Sequence, residues 1–319
     1  MAIPTALITG IGGQDGSYLA ELLVAKGFRV VGLVRPGWVP RNHNLDGVRP
    51  KIEIVPIDLS DARAVQHCLR DVMPDHLYHL AAASFVPDSW VDPTISVEIV
   101  SVVSNLLDAI CEVAPRTRFV NASSAEIFGN PDRSPQNELT PMRPLTPYAE
   151  AKSVVFEAVN RRRESQHIHA SSAILFNHES PRRPRQFVTM KIAYAAAAIA
   201  TGTETLLELG NLESRRDWGA AVDYVEAIHL MALAGDPDDF VVATGRSHSV
   251  RDVLEIAFSH VGLDWHDYVT LDQRFVRPAE VDLLIGDRSK AEAKLGWTPT
   301  VGFEQLVQMM VDSDLERHS

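Results

Sequence analysis

Residues 5–27 read TALITGIGGQDGSYLAELLVAKG. Thr5 to Gly10 is a short β-rich run, Gly10 to Gly16 is a glycine turn, and Ser17 to Gly27 is an amphipathic segment of helical period. Strand, glycine turn and helix in that order are the start of a dinucleotide-binding α/β unit. Gly10, Gly13 and Gly16 permit the tight turn, let backbone approach a pyrophosphate and let helix pack on strand. The helix N-terminus offers free N–H groups to a phosphate, and Gln14 and Asp15 in the turn are counted with the glycines as cofactor-binding residues.

Working outward, Arg29 to Val34 is a second strand that ends at Arg35. A protein that prefers NAD usually carries an acid there for the ribose hydroxyls, so arginine points to the 2′-phosphate of NADP, with NAD left open. Lys51 to Ile57 is a third strand, ending in Asp58 and Leu59. Asp75 to His79 is a fourth, and it runs through Leu80 into Ala81, Ala82 and Ser84, small residues; Leu80, Ala81, Ala82 and Ser84 are expected to lie beside the cofactor backbone. His76 and His79 on that strand read as structural groups, and no metal is expected. A helix from about Asp92 to Val113 is apolar on most of its surface, as for one packed between a sheet and a neighbouring subunit. The alternation predicts a doubly wound parallel sheet of the Rossmann type with right-handed crossovers.

The 319 residues are 45% hydrophobic and 23% charged, with a net charge of −12, enough for one large core or two linked ones. That charge argues against nucleic acid and anionic membranes as partners, so an anionic ligand needs a local basic pocket. Arg182, Arg183, Arg185, Arg215 and Arg216 are candidates for it. Cys68 and Cys111 lie in apolar helix-like patterns, which argues against a disulfide framework and a cysteine zinc site. No signal peptide and no apolar run of the ~18 residues that span a bilayer is read, so a cytoplasmic location is expected.

Residues 121–152, NASSAEIFGNPDRSPQNELTPMRPLTPYAEAK, carry the chemistry. Tyr148 and Lys152 stand at i and i+4 and share a helix face. An ammonium beside a phenol stabilises its anion, so Tyr148 is expected to have a lowered pKa and to act as a base. The buried run from Arg118 ends in Ser123, Ser124 and Glu126, which places them at the carboxyl end of a parallel strand, where open α/β sheets bind ligands.

The glycine spacing resembles that of the extended short-chain dehydrogenases. The phrases ITGIGGQDGSYLAELL (8–23), ILFNHESPRR (174–183), FVTMKI (187–192), LGNLESRRDWG (209–219) and RPAEV (277–281) resemble the GDP-mannose 4,6-dehydratase family across nearly the whole chain. The resemblance implies residues 1–170 as an NADP-binding Rossmann domain and 171–319 as a nucleotide-sugar-binding part, interwoven with the first because Thr201 to Leu209 and Asp239 to Thr244 still read as strands. It places Asp58 and Leu59 at the adenine. Asn177, Val188, Lys191, Arg216, Arg277 and Glu280, with Ser84, Ser124 and Glu126, fall at a nucleotide sugar, GDP-linked by resemblance. A homodimer or homotetramer is implied as well.

This chain also departs from the family. It has Ser124, Ala125 and Glu126 where relatives have Thr, Ser and Glu, and Ala83 and Phe85 where they have Gln and His. PGWVPR (36–41) replaces a second arginine and a serine-rich loop that serve tetramer contacts and cofactor binding. The implied reaction oxidises carbon 4 through Tyr148, removes the carbon 5 proton through Glu126, expels water from carbon 6 and returns hydride there. The other readings are a nucleotide-sugar 4-epimerase, for which Ala125 speaks, and a non-catalytic protein that keeps NADP as a ligand.

Overall fold

The computed structural model describes residues 3–40, 43–272 and 283–318. In chain order its elements are β1 (Thr5–Thr9), α1 (Gln14–Ala25), β2 (Arg29–Val34), β3 (Glu53–Pro56), α2 (Ala62–Val72), β4 (His76–His79), α3 (Asp88–Val91), α4 (Thr94–Val113), β5 (Arg118–Ala122), α5 (Pro147–Gln166), β6 (Ala170–Leu175), β7 (Asn177–Glu179), α6 (Val188–Ala200), β8 (Leu207–Leu209), β9 (Arg215–Arg216), β10 (Trp218–Ala220), α7 (Ala221–Leu233), β11 (Phe240–Val242), β12 (His248–Ser249), α8 (Val250–His260), β13 (Val269–Leu271), β14 (Leu283–Leu284), α9 (Ser289–Leu295) and α10 (Phe303–His318).

Seven strands form one sheet in the order β11-β6-β5-β4-β1-β2-β3, every pair parallel. Side chains alternate across it. Leu7, Leu33, Leu77 and Phe119 join one apolar cluster with residues of α2, α4 and α5, while Ala6, Ile8, Val30, Tyr78 and Val120 join another with α1 and α7. Both faces are therefore covered, as parallel strands require. A third cluster holds α6, α8 and α10 together with the short strands β8 and β10.

Local chemistry sets the boundaries. Asp61 caps α2 by accepting from the amides of Arg63 and Ala64, and Thr146 caps α5 by accepting from Ala149, with Pro147 as its first residue. Ser249 and Asp252 make a reciprocal capping box on α8.

Three sequence expectations are corrected. The first helix begins at Gln14 rather than Ser17, so Gly16 lies inside its first turn. Of the strand expected over Thr201 to Leu209, only Leu207–Leu209 pairs, because Thr201 and Thr203 fold back to bond the carbonyls of Ala197 and Ala198 at the end of α6. Finally, α4 spans 20 residues with a mean hydropathy of 1.6 and is by length and composition able to cross a membrane. It packs on α2, α5 and the sheet through Ile99, Val102, Val103, Leu106, Leu107 and Ile110, so one face of its apolar surface serves the core while Val97 stays exposed.

Candidate active site

The strand order reverses between β1 and β4, and doubly wound sheets bind ligands at such a point, beyond the carboxyl ends of the strands. A cavity of about 860 Å³ lies there. Gly10, Gly13, Gln14, Asp15 and Gly16 wall one side, Leu80, Ala82 and Ser84 follow from β4, and Ser123, Ser124 and Glu126 follow from β5. Tyr148 and Lys152 form the floor, and Asn177, Val188, Lys191 and Arg216 close the far side.

The glycines have steric causes. A Cβ on Gly16 would run into the Gly10 carbonyl oxygen and come 2.6 Å from Ile11 Cα. Gly10 has φ +71°, and a Cβ there would meet the Ala81 backbone at 2.9 Å. Gly13 precedes α1 without a side-chain cap, so the helix start keeps N–H groups for an anion. This cradle fits the pyrophosphate of a dinucleotide.

Ser124 precedes a single 3₁₀ turn, Ala125–Phe128, and its hydroxyl accepts from the Glu126 amide at 3.3 Å. The same hydroxyl is hydrogen-bonded to the Tyr148 phenol. Lys152 lies one turn along α5, donates from Nζ to the Ala122 carbonyl at 2.8 Å and stands 5.8 Å from the centre of the Tyr148 ring. Ala125 is buried against Ile127, Phe128 and Phe176.

The expected lowering of the Tyr148 pKa is overturned for the protein's own groups. Burial pushes the phenol up to about 12, the Ser124 bond opposes it less strongly, and Glu126 pushes the same way as burial. Burial also brings Lys152 down to about 8. Desolvation of the charged form is the largest cause for both groups.

Sequence reasoning missed His178. Its Nδ1 faces the Phe176 carbonyl at 2.8 Å and its Nε2 faces an Asp15 carboxylate oxygen at 2.9 Å. Two acceptors demand two N–H donors, so the ring is an imidazolium. Burial works against that charge, but Asp15 overrides it and the His178 pKa is raised. For Asp15 burial is again outweighed by His178, and its pKa is lowered. Gln14 adds a bond to the His178 carbonyl and receives one from Ser180. The pair ties the glycine turn to β7, which carries Asn177. A histidine directly after Asn177 in a polar run that follows a buried strand was the available signal.

The arginines do not form one island. Arg182 pairs with Glu21 and covers the Tyr18 ring, and Arg215 bonds Ser247. Arg183, Arg185 and Arg216 reach the cavity. Arg183 is held by Glu179 at 3.0 Å and lies over Phe187, which meets Phe85 edge to face. Arg35, Asp58, Leu59 and Ala81 are not part of the cavity wall. Ala81 packs on Gly10, and Arg35 is paired with Glu98. Arg277 and Glu280 lie outside the described residues. Among the described residues no group of three or more His, Cys, Asp or Glu side chains is arranged to hold a metal.

A seven-stranded parallel sheet with a glycine cradle at its switch point and a Ser, Tyr and Lys set at the cavity floor defines an extended short-chain dehydrogenase/reductase, of the epimerase and dehydratase kind. A solved UDP-glucose 4-epimerase from Thermus thermophilus, in complex with NAD, superposes with a TM-score of 0.84 at 27% identity, covering 97% of this chain and 98% of that one. The chain belongs to the GDP-mannose 4,6-dehydratase family, whose model matches residues 7–310. It is 44% identical to GDP-mannose 4,6 dehydratase 2 of Arabidopsis thaliana over 98% of this chain and 87% of that protein. Against the GDP-mannose 4,6 dehydratase of Homo sapiens it is 40% identical over 98% and 91%.

Proposed function

We propose that the protein dehydrates a GDP-linked mannose at carbons 4 and 6 through a 4-keto intermediate, using NADP as a cofactor that is regenerated in each turnover. The observation that carries this reading is Glu126, a half-buried carboxylate on the turn beside Ser124, in one cavity with Tyr148 and Lys152. A bound nicotinamide dinucleotide supplies the acceptor and later the donor of hydride.

Tyr148 holds the proton that leaves the 4-hydroxyl. With a phenol at about 12, that transfer needs its anion stabilised, and the Ser124 O–H and the Lys152 ammonium are the groups beside it. Glu126 takes the carbon 5 proton, made acidic by the ketone. Ala125 brings no second proton donor, so Glu126 also passes its proton to the departing carbon 6 hydroxyl. Lys191, Arg183 and Arg216 suit the diphosphate, since guanidinium gives paired bonds and ammonium a point charge. Asn177 and Val188 line the sugar side, and Arg277 and Glu280 are assigned to the nucleotide by family resemblance.

Arg35 at the end of β2 supports NADP over NAD. Trp90, Val91, Val97 and Val154, on α3, α4 and α5, are half to nine-tenths exposed and support self-association through that face. Both cysteines are free, which supports a reducing, cytoplasmic setting.

Glu126→Gln tests the reaction. The variant keeps the shape but not the base, so on adding GDP-mannose it should accumulate reduced nicotinamide and lose exchange of the carbon 5 proton with deuterated solvent. Product formed without carbon 5 deuterium in either protein would sink dehydration and leave 4-epimerisation.

A further inference from the structure

Arg35 opens a four-residue turn, Arg35-Pro36-Gly37-Trp38, closed by the Trp38 amide donating to the Arg35 carbonyl at 3.0 Å. Proline second and glycine third, with φ +76° at Gly37, suit a type II turn. The turn is pinned from outside: a Cβ on Gly12 would lie 2.8 Å from the Trp38 ring, and Asn44 donates to the Gly12 carbonyl at 3.2 Å. The Arg35 backbone therefore has one place, and what it recognises is left to the side chain.

That side chain is 78% exposed, and its Nη2 lies 2.5 Å from a carboxylate oxygen of Glu98, on α4. A second carboxylate, Asp58, follows β3 on the same side. Bonds from the Ser60 hydroxyl and amide hold it below the usual carboxylate range, and Arg35 adds a smaller pull. The guanidinium at the end of β2, the position at which doubly wound sheets meet the adenosine ribose, is thus engaged by the Glu98 carboxylate and feels the charge of Asp58 as well. A 2′-phosphate arriving there must take Arg35 from Glu98 and approach both acids, whereas a plain 2′-hydroxyl brings no charge to repel.

We propose that Glu98 is a specificity-determining residue for the cofactor: by engaging Arg35 it weakens recognition of the 2′-phosphate and lets the chain take NAD and NADP with comparable affinity. The proposal rests on the dinucleotide reading given above. It narrows that reading, since Arg35 favours NADP only as far as Glu98 releases it. An exposed ion pair is weak, so the effect is a tuning of affinity rather than a switch.

The test is equilibrium binding by calorimetry, without turnover, of NADP⁺, NAD⁺, adenosine 2′,5′-bisphosphate and adenosine 5′-monophosphate. In the parent, NADP⁺ and NAD⁺ should differ in Kd by less than about tenfold. Glu98→Gln should tighten NADP⁺ and the 2′,5′-bisphosphate about fivefold and leave NAD⁺ and the monophosphate unchanged. Glu98→Ala should act in the same direction, and Arg35→Asp should weaken only the two 2′-phosphorylated ligands. A parent that prefers NADP⁺ by more than about tenfold, or Glu98 variants that move all four ligands equally or none, would overturn the proposal. If the parent bound neither NADP⁺ nor NAD⁺, the cofactor reading itself would fall, and the proposal with it.

Discussion

The two ends of the same parallel strands are built to opposite rules. At the amino ends, most polar groups spend their bonding capacity on one another, with Nδ1 of His169, just before β6, as an exception. The Thr5 amide donates to Asp75, the Thr117 hydroxyl to the Pro74 carbonyl, and Arg118 to the carbonyls of Ala232 and Ala234. His76 and His229 flank the Tyr78 hydroxyl at 2.9 and 3.1 Å, so the phenol donates to one neutral ring and accepts from the other. At the carboxyl ends, both amide atoms of Asn121 and the Ser123 hydroxyl are buried without a hydrogen-bond partner among the described residues, and Ser124, Glu126 and Asn177 are half open. Buried polar groups that satisfy each other add stability and specificity of packing, while groups left unsatisfied cost stability and remain available to a ligand. One end of the sheet is thus committed to the fold and the other to chemistry.

If that division is right, mutations at the two ends should fail in different ways. Tyr148→Phe removes the proton acceptor and keeps the ring, so turnover should fall about 10²-fold or more with cofactor affinity little changed. Near-normal turnover in steady-state assays would break the assignment of the carboxyl end. Gly16→Ala forces a methyl into the Gly10 carbonyl, and urea unfolding should show a loss of about 1–3 kcal/mol together with weaker cofactor binding. A variant as stable and as tightly binding as the parent would mean that the turn relaxes without cost. The smallest effect belongs to the amino ends. Burial pushes His76 and His229 down to about 4, below the ~6.5 of an unfolded histidine, so the unfolded chain takes up protons first. Stability from this cluster is complete above about pH 6.5 and is lost as pH falls towards 4. Tyr78→Phe should lower the urea midpoint by about 1–2 kcal/mol equivalent and leave turnover at pH 8 within twofold. A loss of turnover without a loss of stability would merge the two ends.

The sequence made most of the carboxyl end legible, because its devices depend on residue type at fixed spacing. Glycine at 10, 13 and 16, and Tyr148 four residues before Lys152, have few other physical meanings between a strand and a helix. It misled where the outcome depends on distance through space. The phenol and ammonium do share a face, but burial rather than their attraction sets both pKa values. His178 and Asp15 are far apart in the chain, and only the placement of β7 beside the start of α1 makes them an ion pair. The same limit hid the partner of Arg35. A residue's charge is written in the sequence, but the counter-ion that cancels it is written in the fold. The run over Thr201 to Leu209 teaches a smaller lesson: a helix end closed by threonines depends on contacts that periodicity does not carry.

The seventh strand has a consequence for how the chain acquires its shape. β11 pairs with β6 across 64 intervening residues that include β7 to β10, α6 and α7, and the Glu138 carboxylate accepts from the Val241 amide within β11. The sheet therefore cannot be completed during synthesis until the substrate-side segments have already left the ribosome. Until then β6, whose six residues are all buried in the finished fold, is an open edge of unpaired backbone N–H and C=O groups able to pair with another chain. Closure by so distant a strand raises the contact order and slows the last step of assembly. The arrival of Phe240 to Val242, which pair with Ala173 to Leu175, closes that edge.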